Sequence, residues 1–252
     1  MVESDTGVGL APLPKGPAPL LSRLQSLQQR TLRSLAEFTQ SWDGLEMAVG
    51  IAAINAHYNR YDLDAAVGNG AQGLRSVHGR VMVIGGFPGL TQILPNAQVI
   101  EARPRPGELP TIAMDTVLPG CAATVVSASS IVNRTLPRIL RLTHGSRVAL
   151  IGPATPMTPR LHAYGVEILG GLRVRDPDGL AEVVSVGGLP RDFSQFGDYV
   201  HIRPAAAAAA ATRPVSFRGC LPRGNRQAFV DRTTAALSLL SVTPHARRSL
   251  CR

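Results

Sequence analysis

The sequence predicts an α/β fold whose second part is a doubly wound, mostly parallel β-sheet. From residue 80 onward, short runs of mostly Val, Ile and Ala recur without alternating polar positions, which is typical of strands buried on both faces. Helix-compatible segments lie between these runs, as expected of a chain that alternates strand and helix. The runs are RVMVIGG, AQVIEA, ATVVSAS, RVALIGP and GVEILGG.

Two helices are predicted ahead of these strands. Leucines recur at helical spacing between residues 20 and 40 and predict an amphipathic helix through Leu24, Leu27, Leu32 and Leu35. The next segment, MAVGIAAINAHYNRYDL, is rich in Ala and Ile and predicts a second, well-buried helix that carries Asn55. The glycine-rich GNGAQG, residues 68 to 73, predicts a linker, so residues 1–73 and 74–203 are predicted to form two domains.

Within the second domain, SIVNRTLPRILRLTHG predicts one helix that ends near His144 and Gly145. Residues 204–252 begin with the low-complexity RPAAAAAAATRP and are predicted to form a poorly ordered basic tail. From residue 205 on, this tail holds eight arginines and one aspartate, so it carries +7 of the net charge of +9. The remainder shows no basic surface typical of nucleic-acid binding, and nucleic acid is not an expected partner.

The chain is predicted to be a cytoplasmic protein. It has no apolar run of the roughly 20 residues that a membrane helix needs, and its N-terminus lacks the pattern of a secretory signal. A membrane is therefore not an expected partner, and the oligomeric state is left open. The cysteines have no CxxC spacing and are interpreted as free thiols: Cys121, Cys220 and Cys251.

The glycines after the first strand of the sheet invite comparison with a dinucleotide-binding loop. Gly85, Gly86 and Gly89 have the spacing GGFPG rather than GxGxxG. Phe87 adds bulk and Pro88 lacks an N–H, so NAD is not expected. The simpler interpretation is a tight turn in which Pro88 is the first residue of a helix.

Other polar residues follow the remaining strands. Glu101 ends the second strand, where its carboxylate would point toward the ligand crevice of an open α/β sheet or bond to the N–H groups of RPRPGELP. SASSIVNRTL follows the third strand, where Ser129 or Ser130 would cap a helix or line a polar pocket. GPATPMTP follows the fourth strand, with Thr155 facing the same edge. Together, these loops predict a ligand site.

Four successive segments resemble the heavy-metal chelation domain family: GGFPGL, VIEARPRPGELP, SASSIVNRTLPRIL and ALIGPATPMTPRLHAYGVEILGG. The upstream VGIAAINA is similar to the N-terminal region of that family. The resemblance covers roughly residues 8 to 203. It implies an enolase N-terminal-like domain ahead of a Rossmann-like domain, with a ligand site in the cleft between them.

Carried over position by position, the resemblance implies a set of ligand-binding residues: Asn55, Gly86, Phe87, Pro88, Glu101, Asn133, Thr135, Gly152, Thr155 and Pro156. The chain departs from the family pattern at SASS, where Ala128 replaces a glycine. Its six histidines form no HxH or HxxxH pair, and no metal ligand is assigned. A metal would instead arrive already bound to a small chelator.

These observations favour a protein that binds a small polar ligand such as a metal chelator or a pterin-like heterocycle. Under one form of this hypothesis, the protein also processes that ligand chemically. One alternative is an enzyme that uses Glu101 as general base with a nucleotide or sulfonium cofactor, although no GxSxG or other activated nucleophile is visible. The other is an interaction protein that acts through its basic tail. Whether any reaction is catalysed, and with which cofactor, is left open.

Overall fold

The computed structural model describes residues 1–14, 25–28, 30–87 and 89–204. A hairpin of two short strands precedes a sheet of eight strands in the order β3-β10-β9-β8-β7-β4-β5-β6. The strands are β1 Val2–Ser4, β2 Gly7–Gly9, β3 Ala66–Val67, β4 Val81–Ile84, β5 Gln98–Glu101, β6 Leu109–Pro110, β7 Ala123–Ser127, β8 Arg147–Ile151, β9 Ile168–Val174 and β10 Gly197–Ile202.

The six strands from β4 to β9 are parallel, whereas β10 pairs antiparallel with both β9 and β3. Their order, β6-β5-β4-β7-β8-β9, is that of the doubly wound dinucleotide-binding fold, whose direction of winding reverses between β4 and β7. The prediction of a Rossmann-like, mostly parallel sheet is therefore confirmed. Every one of the five apolar runs forms a strand.

Helices cover both faces of the sheet. The α-helices are α1 Leu32–Ala36, α2 Gly44–Tyr58, α3 Leu90–Ile93, α4 Met114–Val117, α5 Ser129–Val132, α6 Leu136–Leu142 and α7 Pro177–Ser185. Short 3-10 helices span Glu37–Gln40, Gly70–Leu74, Thr111–Ala113, Pro159–Tyr164 and Pro190–Gln195. No helix among the described residues is long and apolar enough to cross a membrane.

Strand β4 shows why the strands lack alternation. Met82 and Ile84 belong to a core cluster that also contains Ile51 and Ile54 of α2. Val81 and Val83 belong to a second cluster on the other face of the sheet. Because both faces are covered, apolar residues are needed at every position of the strand.

Helix α2 is the buried helix that the sequence predicts. The side chain of Asp43 caps it by accepting from the N–H of Glu46 at 2.9 Å, and ten of its fifteen residues are buried. Strand β2 lies directly on it: a Cβ on Gly9 would fall 1.8 Å from the carbonyl oxygen of Ala52. Only glycine allows the two backbones to approach so closely.

Two of the predicted helices differ from the structure. Within the helix expected between residues 20 and 40, Gln25 is helical and residues 26–28 form a turn, and α1 begins separately at Leu32 because Thr31 is extended and caps it. The helix expected over 130–145 is divided into α5 and α6 by a turn in which Arg134 has a left-handed φ of 62°. A continuous apolar period does not reveal such a turn.

The predicted linker, residues 68 to 73, lies mostly within the 3-10 helix Gly70–Leu74. This helix packs against the sheet with Ala71 and Leu74 fully buried. Cys121 is a buried free thiol, as predicted. The basic tail from residue 205 and the other two cysteines lie outside the described residues.

Candidate functional site

The candidate site lies at the carboxyl edge of the sheet, which we define as the ends of β4, β5, β7 and β8 and the loops that follow them. Three close contacts join these loops. Gly86 after β4 bonds to Glu101 of β5. A Cβ on Gly85 would lie 2.7 Å from the Cβ of Ser127, the last residue of β7, and a Cβ on Gly152 after β8 would lie 3.5 Å from the Cβ of Ala128. The predicted convergence of these loops is present in the fold.

Glu101 turns its carboxylate back onto the loop between β4 and α3, residues 85–89, which we call the glycine loop. The N–H of Gly86 donates to Oε1 of Glu101, and the N–H of Ala102 donates to Oε2 at 3.1 Å. Gly86 is exposed and Glu101 is half-buried. Among the described residues Glu101 forms no ion pair, so backbone N–H groups hold a negative charge at a partly accessible position.

The start of α3 differs from the prediction. The helix begins at Leu90, with Gly89 as its N-cap at a φ of 76°, so Pro88 is not its first residue. Pro88 itself lies outside the described residues. Phe87 is half-buried and packs against the core cluster that contains Val83 and Leu90. This ring therefore forms part of the core as well as the wall of the loop.

The polar residues after β7 form a turn of their own. Ser127 Oγ accepts from Ser129 Oγ at 2.9 Å and from the N–H of Ser129 at 3.4 Å. The N-cap of α5 is Ala128 and its side chain makes no cap, so neither Ser129 nor Ser130 caps the helix as predicted. Ser127 performs that role from one residue earlier.

Asn133 and Thr135 lie at the other end of α5 and bond to each other. Oδ1 of Asn133 accepts from Thr135 Oγ1 at 2.6 Å and from the N–H of Thr135 at 3.1 Å. Asn133 is exposed and Thr135 half-buried. Their position next to Arg134 places them beside the N-terminal part of the chain, at the end of α5 that is farther from Ser127.

Arg134 joins that turn to the segment before α2. Its guanidinium donates to the carbonyl oxygen of Thr39 at 2.9 Å and to that of Ser41, and it lies 4.5 Å from the ring centre of Trp42. Burial lowers the pKa of this guanidinium from its ordinary value, but an arginine stays charged at neutral pH. The role of Arg134 is not predictable from the sequence, because its residue type does not indicate a left-handed backbone.

Asn55 lies on α2 and is fully buried. Its Nδ2 donates to the carbonyl oxygen of Leu10 at 2.7 Å and to that of Ala154 at 2.9 Å. One helical turn later, Asn59 donates to the carbonyl oxygen of Thr155 at 2.9 Å and accepts from the N–H of Met157 at 2.9 Å. The two amides therefore hold α2 against the loop after β8. Asn59 is not among the predicted site residues, although its helical spacing from Asn55 is the signal that would have indicated it.

Thr155 and Pro156 are buried rather than facing an open edge. Three buried side-chain atoms in this region, Asn55 Oδ1, Ser130 Oγ and Thr155 Oγ1, have no hydrogen-bond partner among the described residues. Such atoms are costly unless a water or ligand satisfies them. They belong to α2, α5 and the loop after β8, which meet behind the carboxyl edge.

The described residues do not supply a direct metal site. No group of three or more His, Cys, Asp or Glu among them is arranged to hold a metal ion. Cys121 lies away from the carboxyl edge, with its Sγ 3.1 Å from Thr124 Oγ1 and 3.3 Å from Ser146 Oγ. Nothing in the described donor set therefore suits a resident heavy metal.

Comparisons with known proteins agree with this architecture. The model of the family DUF364, described as "Putative heavy-metal chelation", matches residues 74–203, and that of DUF4213, with the same description, matches residues 1–58. No curated protein matches the chain. A crystal structure of a DUF364 protein of unknown function from Desulfitobacterium hafniense DCB-2 has a TM-score of 0.74 at 29% identity, covering 80% of this chain and 87% of that one.

A second crystal structure, of a DUF364 protein of unknown function from Pyrococcus horikoshii, has a TM-score of 0.65 at 21% identity. It covers 75% of this chain and 79% of the other, and at this identity it bears on the fold alone. The first family model covers more than half of the 252 residues. The chain belongs to the DUF364 heavy-metal chelation family.

Proposed function

We propose that the protein binds a small polar ligand, a metal chelator or a pterin-like heterocycle, at the carboxyl edge of the sheet beside α2. The observation that carries the proposal is the half-buried carboxylate of Glu101, which is held on the N–H of Gly86 in the loop after β4, and this loop borders the reversal of winding between β4 and β7. Open α/β sheets bind their ligands at that point. A metal ion would reach the site already bound to the chelator.

The surrounding residues suit such a ligand in different ways. Glu101 offers carboxylate lone pairs to the N–H groups of a heterocycle or to an ammonium group of a chelator. Ser127 and Ser129 add hydroxyl groups on the neighbouring loop. Asn55, Thr155 and Pro156 are buried and support the loop after β8, whereas Gly152 is half-buried, as Glu101 is.

The proposal is tested with the full chain in two measurements. Native mass spectrometry with metal analysis on the freshly purified protein is expected to detect a small molecule that is lost in Glu101→Ala. Fluorescence titration with pterin, and calorimetric titration with a preformed zinc–triethylenetetramine complex, which is cationic and carries N–H groups, then identify the ligand class. A saturable response to one of these probes that weakens at least about tenfold in Glu101→Ala is expected, since a charge-assisted hydrogen bond is lost.

The matched control is Glu108→Ala. Glu108 is a carboxylate on the connection between β5 and β6, where it accepts from the N–H of Arg105 at 2.8 Å, away from the glycine loop. This variant is expected to bind the same probe as the unmodified protein does. A clean mass without a small molecule, together with no response to either probe, would contradict the proposal.

A further inference from the structure

The strand order places the glycine loop where many doubly wound proteins bind a phosphate. In the doubly wound fold, the loop after the central strand normally receives a phosphate, because its N–H groups and the following helix N-terminus attract an anion. The glycine loop occupies that position here, directly after β4 and beside β7. This loop therefore lies where chains of this topology commonly bind a phosphate.

An internal anion already takes that position. Oε1 of Glu101 accepts from the N–H of Gly86, and a Cβ on Gly86 would lie only 3.0 Å from that oxygen. The carboxylate thus uses the N–H group that a phosphate would need, at a distance that glycine allows. A phosphate oxygen brought to the same N–H would meet the negative charge of Glu101 at close range.

The described residues around the loop offer little that offsets this repulsion. Helix α3 has only four residues, so it provides little of the dipole that stabilises an anion in a dinucleotide-binding protein. Its N-cap, Gly89, has no side chain that could donate to an anion. The nearby Arg103 and Arg105 are exposed, and neither forms an ion pair with Glu101 among the described residues.

We propose that Glu101 is a specificity-determining residue that substitutes its own carboxylate for the phosphate of this fold, so that the site excludes phosphoryl ligands and selects neutral or cationic ones. The inference rests on the proposed function for the existence of a ligand site. It adds which chemical class that site rejects. Nucleotides, nicotinamide dinucleotides and phosphorylated metabolites fall in the rejected class.

The test uses inorganic pyrophosphate as the probe and calorimetric titration at low ionic strength. The full-length unmodified protein, Glu101→Gln, Glu101→Ala and the control Glu108→Ala are compared. Glu101→Gln removes the charge and keeps an oxygen that can accept from Gly86, whereas Glu101→Ala also empties the position. We expect a gain in pyrophosphate affinity of about tenfold or more in Glu101→Ala, and a smaller gain in Glu101→Gln.

Glu108→Ala removes the same charge from the adjoining connection and is expected to leave pyrophosphate affinity unchanged. The proposal is overturned if the unmodified protein binds pyrophosphate as tightly as Glu101→Ala does, or if both Glu101 variants are folded by circular dichroism and bind it no better. Because Glu101→Gln is nearly isosteric, it decides the matter even if Glu101→Ala does not fold. A failed titration with pterin or with the zinc–triethylenetetramine complex contradicts the proposed function alone, since the pyrophosphate comparison does not depend on either probe.

Discussion

The two edges of the parallel sheet each carry a carboxylate, Glu167 directly before β9 and Glu101 at the end of β5, and the two carboxylates have different partners. At the amino edge, where β8 and β9 begin, Glu167 forms a two-point ion pair with Arg147, with N···O distances of 2.6 and 2.8 Å. At the carboxyl edge, the partners of Glu101 among the residues that the structure describes are backbone N–H groups. The first carboxylate is neutralised by the protein, and the second remains available to a ligand.

This difference in partners shows that the position of a carboxylate near a strand terminus does not by itself indicate its role. The group that it bonds to distinguishes a structural carboxylate from one that can bind a ligand. Arg147 joins Glu167 across neighbouring strands and also donates to the carbonyl oxygen of Gly73 at 3.4 Å, so its role is to stabilise the fold. Glu101 connects two loops without compensating its charge. Substitutions at the amino edge should therefore change stability, whereas those at Glu101 should change ligand binding.

The largest effect on stability is expected from Asn55→Ala, behind the carboxyl edge. The change leaves the carbonyl oxygens of Leu10 and Ala154 without their donor in the interior, which should lower the free energy of unfolding by about 3 kcal/mol. Urea denaturation measures it. Asn96→Ala, at an exposed position, is the control and should stay within about 0.5 kcal/mol of the unmodified protein. Equal effects would mean that the buried amide does not hold α2 to the sheet.

A smaller loss is expected from Arg134→Ala. The guanidinium bonds to two backbone carbonyl oxygens and contacts Trp42, so its removal should cost about 1 to 2 kcal/mol. Trp42 is the single tryptophan of the chain and is 80% exposed, so its emission spectrum reports on this contact directly. Arg75→Ala, which removes an exposed arginine instead of the half-buried Arg134, should leave that spectrum unchanged. An unchanged spectrum in Arg134→Ala would refute the contact.

The amino edge should give a pH-dependent contribution. The hydrogen bond from the Arg147 guanidinium lowers the pKa of Glu167 from its ordinary value of 4.5. The stabilisation that this ion pair gives to the folded protein is therefore fully present above pH 4.5. It is lost as the pH falls through the lowered pKa that Glu167 has in the folded protein. Because the two side chains are 41% and 32% exposed, the contribution should be only about 0.5 to 1 kcal/mol.

Urea denaturation at a series of pH values checks this expectation. Glu167→Gln should flatten the acid limb of the stability curve, and pterin binding should persist. Glu182→Gln removes an exposed carboxylate from α7 and controls for the change in net charge. An acid limb in Glu167→Gln that matches that of the unmodified protein would show that the ion pair has no measurable effect.

The smallest effect on stability is expected from Glu101→Gln. The amide oxygen can still accept from the N–H of Gly86 at a partly accessible position, so the free energy of unfolding should change by less than about 0.5 kcal/mol. The same variant should show the altered ligand preference. A loss of several kcal/mol would instead place Glu101 in the same structural role as Glu167 and would remove the contrast between the two edges.

The sequence by itself determined the fold class, the parallel strands and the buried helix α2. Strands covered on both faces need apolar residues at every position, as Val81 to Ile84 show, and this requirement is written in the residue types. The strand pattern also predicted that Glu101 ends a strand and that the loops of the carboxyl edge lie close together. Strand direction fixes which loops meet.

Only the tertiary structure decided how those loop residues are used. Local spacing cannot tell that Asn55 bonds to Leu10 and Ala154, which lie 45 and 99 positions away, or that Asn59 acts beside it. Nor does it show that Glu101 folds back onto Gly86. Hydrogen-bond partners and burial depend on contacts between distant segments, so the division between supporting residues and an accessible carboxylate arises only when the chain has folded.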